Sequence, residues 1–205
     1  MTGERGPIIA IDGPAGSGKS TVSRALAERL GVERLDTGAM YRAVAWAVLR
    51  SGIDPGAGPP VVEVARTLAI DVGDRVVADG VDVTDAIRSP EVSRAVSAVA
   101  ATAGVRAELV ERQRRWVAER GAGVVEGRDI ASVVLPEADV KVYLTATPEE
   151  RARRRHEEGA EALARRDAID STRDVSPLEV ADGARVVDTT GRTVEDVVEE
   201  VVGWL

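Results

Sequence analysis

The chain has 205 residues, no cysteine and a formal net charge of −8 at pH 7. Its length suits one domain with its own core, the lack of cysteine excludes a disulfide framework or thiolate zinc site, and the acidic balance argues against a nucleic-acid-binding protein. No run approaches the ~20 apolar residues that cross a bilayer, and the N-terminus lacks the pattern of a secretory signal. We therefore expect a cytoplasmic protein without a nucleic-acid or membrane partner.

The first predicted elements are a strand, a glycine-rich loop and a helix. Residues 7–11 form an apolar run that suits a buried strand, and apolar positions between residues 22 and 30 recur at helical spacing. Between them lies G-x-x-x-x-G-K-[ST], the pattern of a phosphate-binding loop. Its glycines let backbone N–H groups approach phosphate oxygens, its lysine reaches the β- and γ-phosphates, and its hydroxyl suits Mg²⁺. We predict that this loop binds the phosphates of a nucleoside triphosphate through Gly13, Pro14, Ala15, Gly16, Ser17, Gly18, Lys19, Ser20 and Thr21, with Ser20 as a direct Mg²⁺ ligand.

The elements that follow alternate between strand and helix, except in one region. Further strands are predicted at residues 33–36, 121–127, 140–145 and 185–188. Helices are predicted at residues 39–51, 61–68, 91–101, 105–119, from 148 onward, at 160–168 and at 193–205. The buried face of the last helix is predicted to carry Val194, Val197, Val198, Val201 and Leu205. Residues 70–83 form short β segments around an Asp79-Gly80 turn, which we interpret as part of an insertion.

This alternation predicts an α/β fold of the P-loop NTPase type. Its three layers are a five-stranded parallel sheet with helices on both faces. Ligands of such sheets bind beyond the carboxyl ends of the strands. We therefore expect the segments after the first three core strands, residues 12–21, 36–42 and 127–129, to face the same crevice.

Six motifs carry a resemblance that covers nearly the whole chain. They are GPAGSGKST from Gly13, LDTGAMYR from Leu35, SAVAATAGVRAELVERQRRW from Ser97, EGRDI from Glu126, VKVYLTA from Val140 and RRDAIDSTRDVSPL from Arg165. In this order and spacing they resemble the bacterial cytidylate kinases, a family of P-loop nucleoside monophosphate kinases. The resemblance implies phosphoryl transfer from ATP to CMP, and to dCMP, in pyrimidine nucleotide metabolism. It also implies Mg²⁺ as the cofactor and a monomeric enzyme.

The resemblance further implies roles for individual residues. The acceptor nucleotide would be bound by Thr37, Tyr41, Arg42, Ser97, Arg106, Arg128, Asp129, Arg166, Asp170 and Arg173. Within that set, the cytosine ring would be held by Ser97, Arg106 and Asp129, and the ribose by Tyr41 and Asp170. The acceptor phosphate would contact Arg42, Arg128, Arg166 and Arg173. Catalysis would rest on Lys19, Arg128, Arg166 and Arg173, and either Asp36 or Asp12 would contact Mg²⁺ through water.

The predicted domain is single but has three parts. The core comprises residues 1–36, 105–150 and 174–205, the acceptor-binding insertion residues 37–104, and a short lid residues 151–173. The lid is rich in arginine, and the sequence leaves open which of Arg151, Arg153, Arg154 and Arg155 contacts ATP.

Three other functions fit parts of the pattern. A P-loop kinase of a small metabolite would also have an arginine-rich lid, but would not use the β-containing insertion. A regulatory GTPase would need N-K-x-D to recognise guanine, and the chain contains no asparagine. A nucleotide-binding regulatory module without catalysis would not need both Lys19 and Ser20.

Overall fold

A computed structural model describes residues 6–154 and 179–205 of the chain. The described residues form two compact units. The sheet unit comprises the residues up to Leu35 and from Trp116 onward, and the insertion unit comprises Asp36–Arg115. The predicted division into core, insertion and lid, with its own boundaries, stays a prediction.

The strands of the sheet unit form one five-stranded sheet. They are β1 (Ile8–Asp12), β2 (Arg34–Asp36), β6 (Gly123–Glu126), β7 (Val140–Thr145) and β8 (Arg185–Asp188), in the spatial order β2-β6-β1-β7-β8. β1 pairs in parallel with both β6 and β7, and β7 pairs in parallel with β8. All five residues of β1 are buried, as expected for a central strand covered on both faces. The predicted α/β fold with a five-stranded parallel sheet is confirmed.

Helices α1 (Lys19–Leu30) and α7 (Val194–Val202) cover one face of this sheet. Val22 and Leu26 of α1 and Val197 and Val201 of α7 pack against the strand residues Ile9, Ile11, Val124, Val142 and Leu144. A capping box between Thr193 and Asp196 fixes the start of α7. Because α7 ends at Val202, Leu205 lies outside the helix and is 54% exposed. Its predicted place on the buried face is therefore wrong.

The described part of the sheet unit also contains two short helices. A π-helical segment, Ile130–Val134, follows β6, and α6 (Pro148–Arg154) follows β7. The sequence predicts no element at 130–134, because five residues are too few to show a helical period.

The insertion unit contains helices and a small antiparallel sheet. Its helices are α2 (Thr37–Arg50), α3 (Pro59–Thr67), α4 (Pro90–Ala101) and the beginning of α5 (Ala103–Arg120), with a 3₁₀ turn at Ala86–Arg88. Its strands β3 (Ile70–Val72), β4 (Val76–Ala78) and β5 (Val81–Asp82) form the predicted β patch. Asp79 and Gly80 join β4 to β5 with φ values of 46° and 78°, the two positive angles of a type I′ hairpin turn.

The described helices differ in length and hydropathy from helices that cross a bilayer. Within residues 6–154 and 179–205, none combines enough length with enough apolar character to cross a membrane.

Candidate active site

The phosphate-binding loop connects β1 to α1. Gly13 has a φ of 145°, and a Cβ atom built on it would lie 2.1 Å from the carbonyl oxygen of Leu144. Gly18 occupies the left-handed region with a φ of 92° at the N-cap of α1. Any side chain at these two positions would therefore be strained, which explains the glycines of the motif in steric terms.

Lys19 is the first residue of α1 and folds back over the loop. Its Nζ donates a hydrogen bond of 2.8 Å to the carbonyl oxygen of Pro14. The N-terminus of α1 adds the positive end of the helix dipole, and its first turn contains no acidic residue. The loop therefore combines backbone N–H groups, a cation and a helix N-terminus, as an anion-binding site requires.

Three side chains from distant parts of the sheet unit contact the carbonyl groups of the loop. Arg151 Nε donates to the carbonyl oxygen of Ala15 at 2.7 Å, and Arg154 Nη1 donates to that of Gly16 at 3.3 Å. The Thr189 hydroxyl lies 3.0 Å from the carbonyl oxygen of Ser17. In the structure, both arginines thus contact the loop backbone. Thr189 was not predicted, because its partner lies far away in the sequence.

Two further side chains, Glu126 and Arg34, lie next to Ser20, the predicted metal ligand. The Ser20 hydroxyl donates to Glu126 Oε2 at 3.0 Å, and Arg34 Nη1 forms an ion pair of 2.6 Å with Glu126 Oε1. Glu126 is only 2% exposed and ends β6, the strand beside β1. A hydroxyl and a carboxylate are hard oxygen ligands of the kind that Mg²⁺ prefers, so these residues fit the metal.

Glu126 was not among the predicted site residues. The signal that could have identified it is its position, since an acidic residue that ends a buried strand next to β1 must lie beside the phosphate loop.

Asp12 lies at the end of β1 with both carboxylate oxygens engaged. Oδ1 accepts a hydrogen bond from the backbone N–H of Ile130, and Oδ2 accepts one from Ala131, each at 2.8 Å. Burial raises the pKa of Asp12 to about 6; the two N–H donors oppose this rise, the nearby charge of Asp129 adds to it, and Lys19 opposes it. Asp12 thus attaches the segment after β6 to the strand that leads into the phosphate loop.

Arg128 and Asp129 belong to that attached segment. The backbone N–H of Gly127 donates to the carbonyl oxygen of Ile11 at 2.9 Å, which continues the pairing of β6 with β1. Asp129 is 5% exposed, and its carbonyl oxygen accepts from the N–H of Val133 at 2.9 Å. Residues 12–21 and 127–129 therefore follow neighbouring strands at the same edge of the sheet. A crevice that residues 36–42 share with them stays a prediction.

Three predicted acceptor residues contact each other or their neighbours within the insertion unit. The Arg106 guanidinium lies over the Tyr41 ring, with 5.7 Å between Cζ and the ring centroid, and both residues are buried. Arg42 Nη1 donates to the carbonyl oxygen of Ile87 at 3.0 Å and to the Ser93 hydroxyl at 2.9 Å. These contacts hold two guanidinium groups in defined orientations.

The other predicted site residues of this unit, Asp36, Thr37 and Ser97, lie at the start of α2 and on α4. Asp36 caps α2, because its Oδ1 accepts from the backbone N–H of Ala39 at 3.0 Å. Thr37 is the buried first residue of α2, and Ser97 lies half-buried on α4. The water-mediated contact of Asp36 with Mg²⁺ stays a prediction. Arg166, Asp170 and Arg173 lie outside the described residues, and so does most of the predicted lid.

Comparison with protein families gives one match that covers nearly the whole chain. Residues 9–205 match the family model described as cytidylate kinase. A cytidylate kinase of Mycobacterium leprae (strain Br4923) is 48% identical over 208 residues, which are 95% of this chain and 93% of the relative. A cytidylate kinase of Pelotomaculum thermopropionicum is also 48% identical, over 96% of this chain and 94% of the relative.

Another relative is longer. The bifunctional pantoate ligase/cytidylate kinase of Synechococcus sp. (strain WH7803) is 50% identical over 95% of this chain, but the chain spans only 44% of its length.

Solved structures resemble the chain in fold at lower identity. Shikimate kinase from Acinetobacter baumannii aligns with a TM-score of 0.51 and 19% identity, over 97% of this chain and 92% of that one. A gluconokinase from Sinorhizobium meliloti 1021 aligns with a TM-score of 0.52 and 16% identity, over 98% and 91%. At these identities the match supports the P-loop kinase fold alone.

Proposed function

The chain belongs to the cytidylate kinase family, and we propose that it transfers the γ-phosphoryl group of ATP to CMP, and to dCMP, to give ADP and the nucleoside diphosphate. The observation that carries this proposal is the attachment of the segment containing Arg128 and Asp129 to the phosphate loop. Asp12, the residue before the loop, bonds Ile130 and Ala131, the two residues after that segment, at 2.8 Å each. A donor loop and an acceptor segment held this closely suit transfer between two phosphates.

The donor half of the site consists of the loop, Lys19 and the residues around Ser20. Lys19 would neutralise charge on the transferred phosphoryl group, and the loop amides would hold the β-phosphate. Ser20 would hold Mg²⁺ directly. Glu126 would accept the hydrogen bond of the Ser20 hydroxyl, as it does at 3.0 Å in the structure, or would hold a water molecule bound to the metal. When bound, the metal would neutralise the triphosphate and align its γ-phosphate.

The acceptor half needs cations but no general base. The second pKa of a phosphate monoester is near ~6, so the attacking oxygen of CMP is already mostly ionised at neutral pH. Catalysis then consists of alignment and charge neutralisation, for which guanidinium groups are suited. We assign this role to Arg128 and, from the resemblance, to Arg42, Arg166 and Arg173. Asp129, Ser97 and Arg106 would recognise cytosine, and Tyr41, Asp170 and Thr37 would complete the acceptor site.

We further propose that the enzyme acts in the cytoplasm as a monomer. The net charge of −8 supports the absence of a nucleic-acid partner. A small-metabolite kinase would share the fold, as the shikimate kinase and gluconokinase do, but the family match over residues 9–205 favours the nucleotide acceptor.

The test is ADP release with a panel of acceptors. We expect CMP and dCMP to support turnover, and AMP, shikimate and gluconate to support little. Lys19→Ala should lower kcat by at least about 100-fold, because charge neutralisation in the transition state is lost. Faster turnover with AMP or a sugar acid would refute the assignment of CMP as the acceptor. Unchanged ADP release by Lys19→Ala would refute the assignment of the donor site.

A further inference from the structure

The inference concerns the peptide that joins Ser17 to Gly18 in the phosphate loop. Rotating this peptide plane changes ψ of Ser17 and φ of Gly18, and glycine accepts either sign of φ at similar energy. Gly18 here has a φ of 92°. Because C=O and N–H point in opposite directions across a trans peptide, the orientation of the Ser17 carbonyl sets the direction of the Gly18 N–H. The intrinsic preferences of the loop do not determine that direction.

The Ser17 carbonyl oxygen is contacted by a side chain that follows the last strand. Thr189 directly follows β8, is 4% exposed, and places its hydroxyl oxygen 3.0 Å from the Ser17 carbonyl oxygen. The same hydroxyl lies 3.0 Å from the carbonyl oxygen of Thr145, which also accepts the Thr189 backbone N–H at 2.9 Å. Because the Thr145 carbonyl oxygen already accepts this backbone N–H, the Ser17 carbonyl oxygen is the favoured acceptor of the Thr189 hydroxyl proton.

Arg154 sets the orientation of this hydroxyl. Its Nη1 donates to Thr189 Oγ1 at 2.8 Å, and its Nη2 donates to the Thr189 carbonyl oxygen at 2.9 Å. A guanidinium group only donates hydrogen bonds, so the Thr189 oxygen must accept from it and direct its own proton elsewhere. Glu150 Oε1 accepts from Arg154 Nε at 2.8 Å and holds the arginine in place.

We propose that Thr189 is a positioning residue for ATP binding. Its hydroxyl, oriented by Arg154, holds the Ser17–Gly18 peptide so that the Gly18 N–H is available to the phosphates. Thr189 is itself too buried to contact a nucleotide, so it acts through the loop. The proposal rests on the proposed function, because it assumes that this loop binds ATP.

The experiment compares three variants with the wild type by calorimetric titration of ATP and, separately, of CMP. Thr189→Val removes the hydroxyl at nearly constant volume, and Thr189→Ser keeps it. Thr67→Val is the matched control, because the Thr67 hydroxyl is exposed and bonds the Glu63 carbonyl within its own helix at 2.9 Å.

We expect Thr189→Val to weaken ATP binding about 10-fold, the effect of losing one buried hydrogen bond. CMP affinity should stay within about 2-fold of the wild type, and Thr189→Ser and Thr67→Val should bind ATP within about 3-fold. Unchanged ATP affinity in Thr189→Val would overturn the proposal. Equal losses for ATP and CMP would also overturn it, because they would indicate a general structural role.

If Thr189→Val does not fold, Thr189→Ala measured against Thr189→Ser asks the same question with a smaller side chain. Failure of the wild type to bind ATP would instead refute the proposed function, so the two failures are distinguishable.

Discussion

Two buried carboxylates at the ends of adjacent strands have different partners and different consequences. Glu126 faces a guanidinium and a hydroxyl, since Arg34 and Ser20 bond its two oxygens at 2.6 and 3.0 Å. Among the described residues, the direct hydrogen-bond partners of Asp12 are the backbone N–H groups of Ile130 and Ala131. Hydrogen bonds from neutral donors compensate burial less than a cation does. Burial therefore disfavours the ionised form of Asp12, and the contribution of this residue to stability should depend on pH.

The direction of this dependence follows from the pKa shift. Burial raises the pKa of Asp12 from 3.8 to about 6, so between these pH values the folded state keeps a proton that the unfolded state has released. The free energy of unfolding must then fall as the pH rises through that range, because ionisation is disfavoured only in the folded state.

We predict that the difference in unfolding free energy between the wild type and Asp12→Asn falls by about 2 kcal/mol from about pH 4.5 to about pH 7.5. Urea denaturation across this range measures it, since Asp12→Asn cannot titrate. Asp85→Asn, which changes an exposed carboxylate, should show no such trend. A difference independent of pH would contradict the burial of an ionisable Asp12.

At the residue scale, the sequence predicts what is local. Lys19 and Ser20 lie in one short motif, so their chemistry can be predicted without a fold. Glu126 and Thr189 lie 106 and 172 positions from their partners in the loop. Those contacts depend on the strand order β2-β6-β1-β7-β8, which periodicity alone does not provide. This is why the sequence identifies the motif but not the residues that support it.

At the scale of elements, one arginine of α5 stabilises the end of α3. Arg112 Nη1 donates to the carbonyl oxygen of Leu68 at 2.7 Å, and Nη2 donates to those of Ala65 and Arg66 at 2.8 and 2.9 Å. Glu108, one turn earlier in α5, accepts from Nε at 2.8 Å. The last carbonyls of a helix have no partner within it, and here a single guanidinium supplies three bonds.

We predict that Arg112→Ala lowers the free energy of unfolding by about 2 kcal/mol, because charge-assisted bonds to the terminal carbonyls are lost. Chemical denaturation measures the effect. Arg115→Ala in the same helix is the matched control. The Arg115 side chain is 61% exposed, and its ion pair with Glu111 is long, at 3.8 Å. That variant should change stability by less than about 0.5 kcal/mol. Equal effects of the two substitutions would argue against the bonding role of Arg112.

The bounds of the predicted elements are accurate where a local sequence pattern marks both ends of the element. Strands β7 and β8 have the predicted bounds, because both are short runs rich in β-branched residues that lie between turn-forming residues such as Pro136 and Gly183. The end of α7 was misplaced because Leu205 continues the apolar spacing of Val197 and Val201, although the helix already ends at its C-cap, Gly203.

At the scale of the whole molecule, the two substrates should stabilise the fold through different residues. A ligand that binds only the folded state adds about 2.7 kcal/mol at 100 times its dissociation constant. For a chain of this length that corresponds to a rise in Tm of about 5–10 °C. ATP alone and CMP alone cannot react, so each shift reports binding to its own half of the site.

We predict that Arg128→Ala keeps the ATP-induced rise in Tm and loses most of the CMP-induced rise, because we propose that its guanidinium contacts the acceptor phosphate. Differential scanning fluorimetry with each nucleotide measures both shifts. Arg24→Ala, at an exposed position of α1, should retain both. Loss of the ATP shift together with the CMP shift would assign Arg128 to the donor half instead.

The position of Thr189 also has a consequence for biosynthesis. A nascent chain leaves the ribosome from its N-terminus, so the phosphate loop emerges long before the residue that supports its Ser17 carbonyl, 172 positions later. Contacts between such distant positions form late in folding, because the long loop between them must first close. A chain released before β8 is complete would therefore lack this support for the loop. We expect the full triphosphate affinity of the loop to develop only after β8 and Thr189 have been synthesised and have packed against it.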